Sequence, residues 1–566
     1  MDLFLRMRVP QPGFRLIKFD KKLKMTFILK QIVFLLLVLF SFQFLQAQKK
    51  EPVWDNTAYK HWDEGFTKVQ MKSTADGAIQ NARFHKTSSK KPQPLIVSLH
   101  TWSGNYDQGD PLAAEVLLRD WNYIHPDFRG PNNNPDACGS ALAIHDLLDA
   151  IHYAIKNGNV DTANVHIVGV SGGAYLTLLA YMKLDYPVKS FDAWAPISDL
   201  TKWYWESKGR HNVYAKEVAE VASKNGKIDW SELKKRSPMY LPFPYAKRRN
   251  SELHIYEGVH DGYTGSVPIT HSILFYNKIA KALYPHKKNA VIPDSTWMSI
   301  LIKQCDPSAD STKQIGGRLI QLQKCFPKLS LTLFEGTHEM LVPPALALLP
   351  INEIKNTSHL NVITIGDSNG AFKFGWPQQL MKLLPYSKVV NHSIAGNTIG
   401  FDNLGRKDLN TLRNIDDYLE DACDKLGKNQ HPDYLFIDLG TNDTKQIFKD
   451  RQSEVAANYN TLLNKITDWF QSHHIQQPKI CVITPSPMDE QMVDTAKYGG
   501  GDERIRANNI AFKKVAEQHH VDFLDTYDQL KNNFSGKTID GVHLKPKVQF
   551  EMATLLVSYI NKNSKR

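Results

Sequence analysis

The sequence predicts an α/β protein with two domains in series, each built around a mainly parallel sheet. Short apolar runs typical of buried strands alternate with amphipathic helical stretches. A seam at residues 343–359, which contains three prolines and a polar run, separates two such patterns. The length of 566 residues also exceeds what one core usually organises. The composition, with 42% hydrophobic and 22% charged residues, excludes wholesale disorder.

These observations divide the chain into four parts. We expect a signal peptide at 1–47, a first α/β domain at 48–345, a linker at 346–358 and a second α/β domain at 359–566.

In the first half, residues 164–170 predict a strand that runs into Gly-Val-Ser-Gly-Gly, with a helix expected at 174–184. Strand, Gly-x-Ser-x-Gly and helix together are typical of a nucleophile elbow, in which a strained turn exposes the serine. Ser171 is therefore the candidate nucleophile, at a helix N-terminus where backbone N–H groups can stabilise an oxyanion.

A nucleophilic serine needs a base and a carboxylate that orients the base. Two later predicted strands, 253–256 and 329–334, lead into loops that carry Asp261 and His338. Asp261 could instead be a turn residue, with His260 as the acting group.

An insertion at about 284–328 lies between acid and base, and we expect part of it over the site. It contains Cys305 and Cys325, which either form a disulfide in an oxidising compartment or stay as thiols.

Residues 94–341 resemble an α/β-hydrolase of the prolyl-oligopeptidase and acetyl-xylan-esterase type. The resemblance implies the α/β-hydrolase fold and an oxyanion hole formed by the Gly172 N–H and a second N–H from the loop after residue 99. The family often has His-Gly there, whereas this chain has His100 followed by Thr101 and Trp102, so either of the last two could donate. Too few residues precede this region for the β-propeller of such peptidases, which favours an esterase.

In the second half, a polar motif follows each of several predicted strands, where open α/β sheets gather their ligands. Ser368 lies in Gly-Asp-Ser-Asn, and Asp540 and His543 lie in Asp-Gly-Val-His near the C-terminus. We expect His543 to accept the Ser368 proton and Asp540 to hold the imidazole. The expected strands are 361–365, 389–393, 434–439, 480–484 and 521–524, and the last helix is expected at about 547–560.

Residues 359–561 resemble the GDSL/SGNH hydrolase family, with its four motifs in order. The resemblance implies a flavodoxin-like three-layer αβα fold and an oxyanion hole of the Ser368 N–H, the Gly396 N–H and the Asn442 side chain. This chain departs from the family by having Asn369 where Leu is common.

Trp203 and Trp205 follow a predicted strand in the first half, in what we expect to be a loop near the active-site edge. Their aromatic faces either stack on sugar rings or pack a lid.

The net charge of +11 is concentrated at the N-terminus, because residues 1–50 hold ten Lys/Arg and two Asp/Glu. A basic stretch, a short apolar run and Ala47 predict a cleaved secretory signal peptide, with an uncleaved anchor as the alternative and Met25 as an alternative start. We therefore expect a periplasmic or secreted protein without stable membrane insertion and without a nucleic-acid partner. No motif implies a metal or another cofactor.

Together these patterns predict an exported bifunctional serine esterase that removes O-acyl groups, above all O-acetyl, from a polysaccharide such as xylan or pectin. Alternatives are a peptidase-like or lipase-like first domain joined to a GDSL lipase, and a glycan-binding protein built on inactive hydrolases. The sequence leaves the oligomeric state open.

Overall fold

The computed structural model describes residues 62–351 and 359–563. The predicted signal peptide and residues 352–358 of the predicted linker lie outside the described residues. Within the described ranges, no helix is long and apolar enough to cross a membrane. The two predicted catalytic domains belong to one compact unit, although each has its own sheet.

The first domain contains a ten-stranded central sheet with helices on both faces and a separate two-stranded sheet formed by its seventh and eighth strands. Its strands are β1 (Thr67–Lys72), β2 (Ile79–His85), β3 (Gln93–Leu99), β4 (Asn122–Pro126), β5 (Val160–Val170), β6 (Ser190–Trp194), β7 (Ser223–Lys224), β8 (Lys227–Ile228), β9 (Glu252–Gly258), β10 (Gln314–Ile315), β11 (Arg318–Phe326) and β12 (Leu329–Phe334). Its helices are α1 (Pro111–Arg119), α2 (Ala141–Asn157), α3 (Gly172–Lys183), α4 (Leu200–Gly209), α5 (Tyr214–Val221), α6 (Trp230–Arg236), α7 (Tyr245–Arg248), α8 (Thr270–Leu283), α9 (Asp294–Lys303) and α10 (Val342–Ala347), with 3₁₀ turns at Pro238–Tyr240 and Lys288–Ala290.

The strand order of this sheet is β1-β2-β4-β3-β5-β6-β9-β12-β11-β10. The run from β4 to β12 is parallel, whereas β1, β2, β11 and β10 join antiparallel at the two edges. The central strands are buried on both faces because helices cover them, which explains their continuous apolar sequence. The parallel run brings the carboxyl ends of β5, β9 and β12 to one edge, where Ser171, Asp261 and His338 follow them.

The second domain has a five-stranded parallel sheet in the order β14-β13-β15-β16-β17. Numbered from its own first strand, this is 2-1-3-4-5, the flavodoxin-like order that the resemblance implied. The strands are β13 (Asn361–Gly366), β14 (Lys388–Ser393), β15 (Tyr434–Asp438), β16 (Lys479–Ile483) and β17 (Asp522–Leu524). The helices are α11 (Ser368–Ala371), α12 (Trp376–Leu383), α13 (Thr411–Leu426), α14 (Gln452–Ser472), α15 (Thr495–Tyr498), α16 (Gly501–Gln518), α17 (Thr526–Leu530) and α18 (Pro546–Asn563), with 3₁₀ turns at Asn403–Gly405, Lys407–Leu409, Asn442–Thr444 and Gln446–Arg451.

The predicted insertion consists of α9 and the β10–β11 hairpin. The hairpin extends the first sheet, while the end of α9 touches the loop after β9 through a hydrogen bond from the Tyr263 hydroxyl to the Leu301 carbonyl. Cys305 and Cys325 are not joined by a disulfide, so the disulfide expected as one alternative is not formed.

Polar and apolar contacts join the two domains. Lys382 of the second domain lies 2.7 Å from Glu115 of the first, and the Gly316 N–H donates to the Pro385 carbonyl at 2.6 Å. Leu346 and Tyr386 share one buried apolar cluster. The first-domain hairpin and α10 therefore provide the surface on which the second domain packs.

Candidate active sites

Ser171 lies in a strained turn between β5 and α3. Its φ of +56° is a conformation that L-residues rarely adopt, and its N–H donates to the Trp194 carbonyl at 2.9 Å. A Cβ at Gly169 would lie 2.4 Å from the Gly173 carbonyl carbon, and one at Gly173 would lie 2.2 Å from the Leu99 oxygen. Both glycines are therefore required by the close approach of backbone, as the motif predicts.

Asp261 and His338, in the loops after β9 and β12, form a hydrogen-bonded pair. Their Oδ2 and Nδ1 atoms lie 2.6 Å apart, and the Asp261 side chain is completely buried. The other carboxylate oxygen accepts the Gly262 and Val267 N–H groups at 2.8 and 3.0 Å, which fixes the orientation of the carboxylate. The arrangement can hold an imidazole in one tautomer and stabilise its protonated form.

His260, the alternative actor, has different partners. Its imidazole lies 2.5 Å from a Glu335 carboxylate oxygen and 3.1 Å from the Gln304 amide oxygen. The structure thus pairs Asp261, rather than His260, with His338.

The two candidates for the second oxyanion donor in the first site have different surroundings. The Thr101 N–H already donates to Gln108 Oε1 at 3.0 Å. By contrast, a Cβ at Gly172 would lie 2.3 Å from the Trp102 nitrogen. The geometry therefore favours the Trp102 N–H as the partner of the Gly172 N–H.

The expectation that Trp203 stacks on a sugar is wrong. Trp203 lies in α4 rather than in a loop, is only 1% exposed, and packs its ring 4.7 Å from the ring of Trp102. Its indole N–H donates to the Ser266 carbonyl, in the loop that follows Asp261. Trp203 therefore packs beneath the loop that carries Trp102 and does not offer its ring to a ligand.

Trp205, on the same helix, has the opposite environment. It is 56% exposed and stacks on Trp230 with ring centroids 5.6 Å apart. Lys208 Nζ lies over the Trp205 ring, 5.0 Å from its centroid. Trp205 and Trp230 therefore form an exposed aromatic pair that a lysine side chain partly covers.

The second domain carries a continuous hydrogen-bond chain. Ser368 Oγ lies 2.9 Å from His543 Nε2, and His543 Nδ1 lies 2.6 Å from Asp540 Oδ2. Asp540 Oδ1 accepts the backbone N–H groups of Val542 and His543. Partial burial raises the pKa of Asp540, but the hydrogen bonds from His543 outweigh it and hold that pKa below its ordinary value. These three hydrogen-bonded residues can activate the Ser368 hydroxyl for attack on an ester carbonyl.

Asn369, the departure from the family pattern, links the serine loop to the histidine loop. Its side-chain oxygen accepts the Leu544 N–H at 2.9 Å and a Gln549 amide hydrogen at 3.1 Å. A leucine could make neither bond. Asn369 thus fixes the separation between Ser368 and His543.

The residues expected to form the second oxyanion hole are held by neighbours that the sequence did not reveal. Gly396 has a φ of +90°, and its carbonyl accepts from Asn403 Nδ2 at 2.6 Å. Asn442 donates one amide hydrogen to the Asn397 carbonyl at 3.0 Å and accepts from the Tyr498 hydroxyl at 3.0 Å. These two bonds fix the orientation of the Asn442 amide and therefore the direction in which its second N–H points. No motif signals Asn403 or Tyr498, because both become neighbours only through folding.

We expect Tyr498→Phe to lower kcat of the second site by roughly tenfold, because Asn442 loses the bond that fixes its amide. Asn442→Ala, which removes the donor itself, should cost about 100-fold or more. Steady-state kinetics on a small aryl ester, in a Ser171→Ala background, would measure both values. An unchanged kcat in Tyr498→Phe would contradict this role.

Lys445 makes the second site sensitive to alkaline pH. Burial lowers the pKa of Lys445 to about 8, and its Nζ donates to Asn403 Oδ1 at 3.1 Å. If Gly396 helps to bind the oxyanion, the charged ammonium would support it through Asn403, so we expect kcat to fall as the pH rises through about 8.

Lys445→Met should lower kcat at pH 7 by roughly tenfold, less than the loss of a direct oxyanion donor, and should remove the decline near pH 8. A decline that persists unchanged in Lys445→Met would assign it to another group. The measurement is a pH profile of kcat in the Ser171→Ala background.

Among the residues that the structure describes, no group of three or more His, Cys, Asp or Glu could hold a metal ion.

Comparison with known proteins identifies two hydrolase segments. A model of the prolyl oligopeptidase family matches residues 141–294, and a model of the GDSL-like lipase/acylhydrolase family matches residues 363–549. No curated protein sequence matches the chain. The chain thus joins a prolyl-oligopeptidase-type segment to a GDSL-type segment, in the order that the two resemblances predicted.

Solved structures with similar folds are distant in sequence. A carbohydrate acetylesterase from Sinorhizobium meliloti is 20% identical, with a TM-score of 0.30, covering 35% of this chain and 97% of that one. An aryl esterase from M. smegmatis is 18% identical, with a TM-score of 0.30, covering 36% and 98%. An acylaminoacyl peptidase from Pyrococcus horikoshii is 17% identical, with a TM-score of 0.31, covering 37% of this chain and 34% of that one.

Proposed function

We propose that this chain is an exported serine esterase with two active sites, which removes O-acyl groups, above all O-acetyl, from a polysaccharide such as xylan or pectin. The observation that carries the proposal is the chain Ser368–His543–Asp540, whose two hydrogen bonds are 2.9 and 2.6 Å long. The pair Asp261–His338 supports a second site of the same kind in the first domain.

In the second site, His543 Nε2 takes the proton of Ser368 as its Oγ attacks the ester carbonyl. The tetrahedral oxyanion is bound by the Ser368 and Gly396 N–H groups and the Asn442 amide. The protonated imidazole, stabilised by Asp540, gives its proton to the sugar oxygen as the bond from that oxygen to the acyl carbon breaks, so the sugar leaves with a free hydroxyl. Water then cleaves the acyl-enzyme by the same steps in reverse roles.

In the first site, Ser171 is the nucleophile, His338 the base and Asp261 the orienting acid. The Gly172 and Trp102 N–H groups bind the oxyanion, and Trp203 holds Trp102 in place. Ser171 is only 3% exposed, rather than solvent-exposed as the elbow motif predicts, and a nucleophile this deeply buried suits a small acyl group.

The exposed Trp205–Trp230 pair supports a carbohydrate substrate. The two rings lie nearly parallel, at 12°, and both are exposed at the surface of the first domain. Aromatic rings are good partners for the C–H faces of sugar rings, so this pair is a candidate contact for a polysaccharide chain.

The experiment measures acetate released from acetylated xylan and acetylated pectin by wild type and by Ser171→Ala, Ser368→Ala and the double variant. We expect each single variant to lose different ester positions, resolved by NMR of the remaining polysaccharide. The double variant should release no acetate above the buffer blank. Wild-type activity in the double variant would refute both sites.

A peptidase activity of the first domain is a second candidate, favoured by the match of residues 141–294 to the prolyl oligopeptidase family. The same four proteins should be incubated with acylated peptides and peptide amides. Peptide cleavage that disappears in Ser171→Ala, together with no release from any ester, would establish the peptidase and overturn the esterase in that domain.

A further inference from the structure

A cavity of about 280 Å³ lies between the two domains, away from both candidate active sites. The first domain contributes Leu346 and Leu349, and the second domain contributes Leu383, Phe550 and Val557. These apolar side chains share the wall with the polar side chains of Arg119, Thr554, Ser558 and Asn561. A more open cavity of about 670 Å³ shares Phe550 and Thr554 with it and gives a route from solvent.

One cation, Arg119, lies in the wall where the two cavities meet. Only 3% of its side chain is exposed. Its Nη1 donates to a Glu115 carboxylate oxygen at 2.7 Å and to the Glu115 carbonyl at 2.9 Å. Its Nη2 is buried and has no hydrogen-bond partner among the described residues. A buried guanidinium with unused donors is an incomplete anion site, because buried polar groups are normally paired.

The Arg119 guanidinium lies over the rings of Trp121 and Phe550, 5.6 and 5.0 Å from their centroids, and its ion pair is with Glu115. The carboxylate of Glu115 is shared, because Lys382 of the second domain also lies 2.7 Å from it. Two cations therefore face one carboxylate. Asn561, which also lines the cavity, has a buried side-chain nitrogen without a partner among the described residues. Arg119 Nη2 and Asn561 Nδ2 are both hydrogen-bond donors, so a ligand that fits this cavity should carry a hydrogen-bond acceptor.

We propose that this interdomain cavity binds an organic carboxylate with an apolar body, of the size of a medium-chain alkanoate. The planar guanidinium matches a carboxylate, which accepts in the plane of its fork. The apolar part of the wall matches the hydrocarbon body, and the volume exceeds what a small inorganic anion needs. The proposal does not rest on the esterase function.

Occupancy has a structural consequence, because the ligand would touch both domains at once. A ligand that binds only when both domains are folded and packed together stabilises that state by mass action. We therefore expect the carboxylate to raise the Tm of the whole chain in a concentration-dependent manner.

The test measures binding of octanoate to the full chain by isothermal titration calorimetry and by thermal unfolding. Octan-1-ol, which has the body without the charge, and acetate, which has the charge without the body, are the comparison ligands. We expect octanoate to bind and raise the Tm, and both comparison ligands to bind at least tenfold more weakly. Equal binding of octan-1-ol and octanoate, or no binding of octanoate at millimolar concentration, would overturn the proposal.

Two variants locate the site. Arg119→Met should weaken octanoate binding at least tenfold, and Ala347→Phe, which fills the cavity and leaves Arg119 and Glu115 paired, should do the same even if Arg119→Met folds poorly. Arg451→Met and Ala457→Phe, at exposed positions, are matched controls that should bind as wild type does. Octanoate binding that is unchanged in Ala347→Phe would place the ligand elsewhere and refute the site.

Discussion

Ser368→Ala is expected to lower kcat of the second site by about 10⁵-fold or more, measured as acetate release in a Ser171→Ala background. The Ser368 hydroxyl lies 2.9 Å from His543 Nε2, and without this nucleophile no acyl-enzyme can form. KM should change little, because the alanine leaves the substrate surface almost intact. What remains should be the small rate that an oxyanion hole gives to direct attack by water.

The control for this variant is a fold measurement, since Ser368 begins α11 and a loss of activity by unfolding must be separated from a loss of chemistry. The thermal unfolding midpoint should stay close to that of the parent. His543→Ala should give a loss of similar size, and Ser368→Ala/His543→Ala should lose no more than either alone, because residues of one catalytic unit are not additive. Additive losses would show that the two residues do not act together.

Asp261→Asn is expected to lower kcat of the first site by about 10⁴-fold, measured in a Ser368→Ala background. Oδ1 of Asp261 accepts two backbone N–H groups, so an asparagine must keep its oxygen there and turn its NH₂ toward His338 Nδ1. The imidazole then carries its proton on Nε2 and cannot act as a base. Because Asp261 is completely buried, no water can take over the role of the carboxylate.

Asp540→Asn provides the comparison for this prediction. The Asp540 carboxylate has the same pattern of hydrogen bonds as Asp261, because its Oδ1 accepts two backbone N–H groups and its Oδ2 lies against His543 Nδ1. Its side chain is 52% exposed, however, so water can support the imidazolium, and we expect a loss about tenfold smaller than in Asp261→Asn. A larger loss in Asp540→Asn than in Asp261→Asn would contradict this assignment of cause to burial.

The strands and motif positions were accessible from the sequence because each depends on a local pattern. The predicted strand 329–334 matches β12, and the strands before Ser171 and Ser368 are found within a few residues of their expected bounds. Both serines follow a strand and begin a helix, as the glycine and apolar patterns require. Such features need only neighbours in the chain.

Trp203 shows where the local pattern failed. Three adjacent aromatic residues after a strand look alike in sequence, yet one is buried against Trp102 and another is exposed on Trp230. In a helix, residues two positions apart point in different directions, so Trp203 and Trp205 cannot share an environment. The prediction of a loop concealed that difference.

The sequence alone determined the two α/β units, their order, and the serine, acid and histidine candidates in each. These follow from chain-local periodicity and from motifs whose spacing the strand-turn-helix geometry dictates. The tertiary structure decided which loop N–H faces Gly172, how Asn369, Asn403 and Tyr498 fix the second site, and that Arg119 lies at a cavity between the domains. Each of these depends on residues far apart in the chain, whose approach is set by packing and leaves no periodic signal in the sequence.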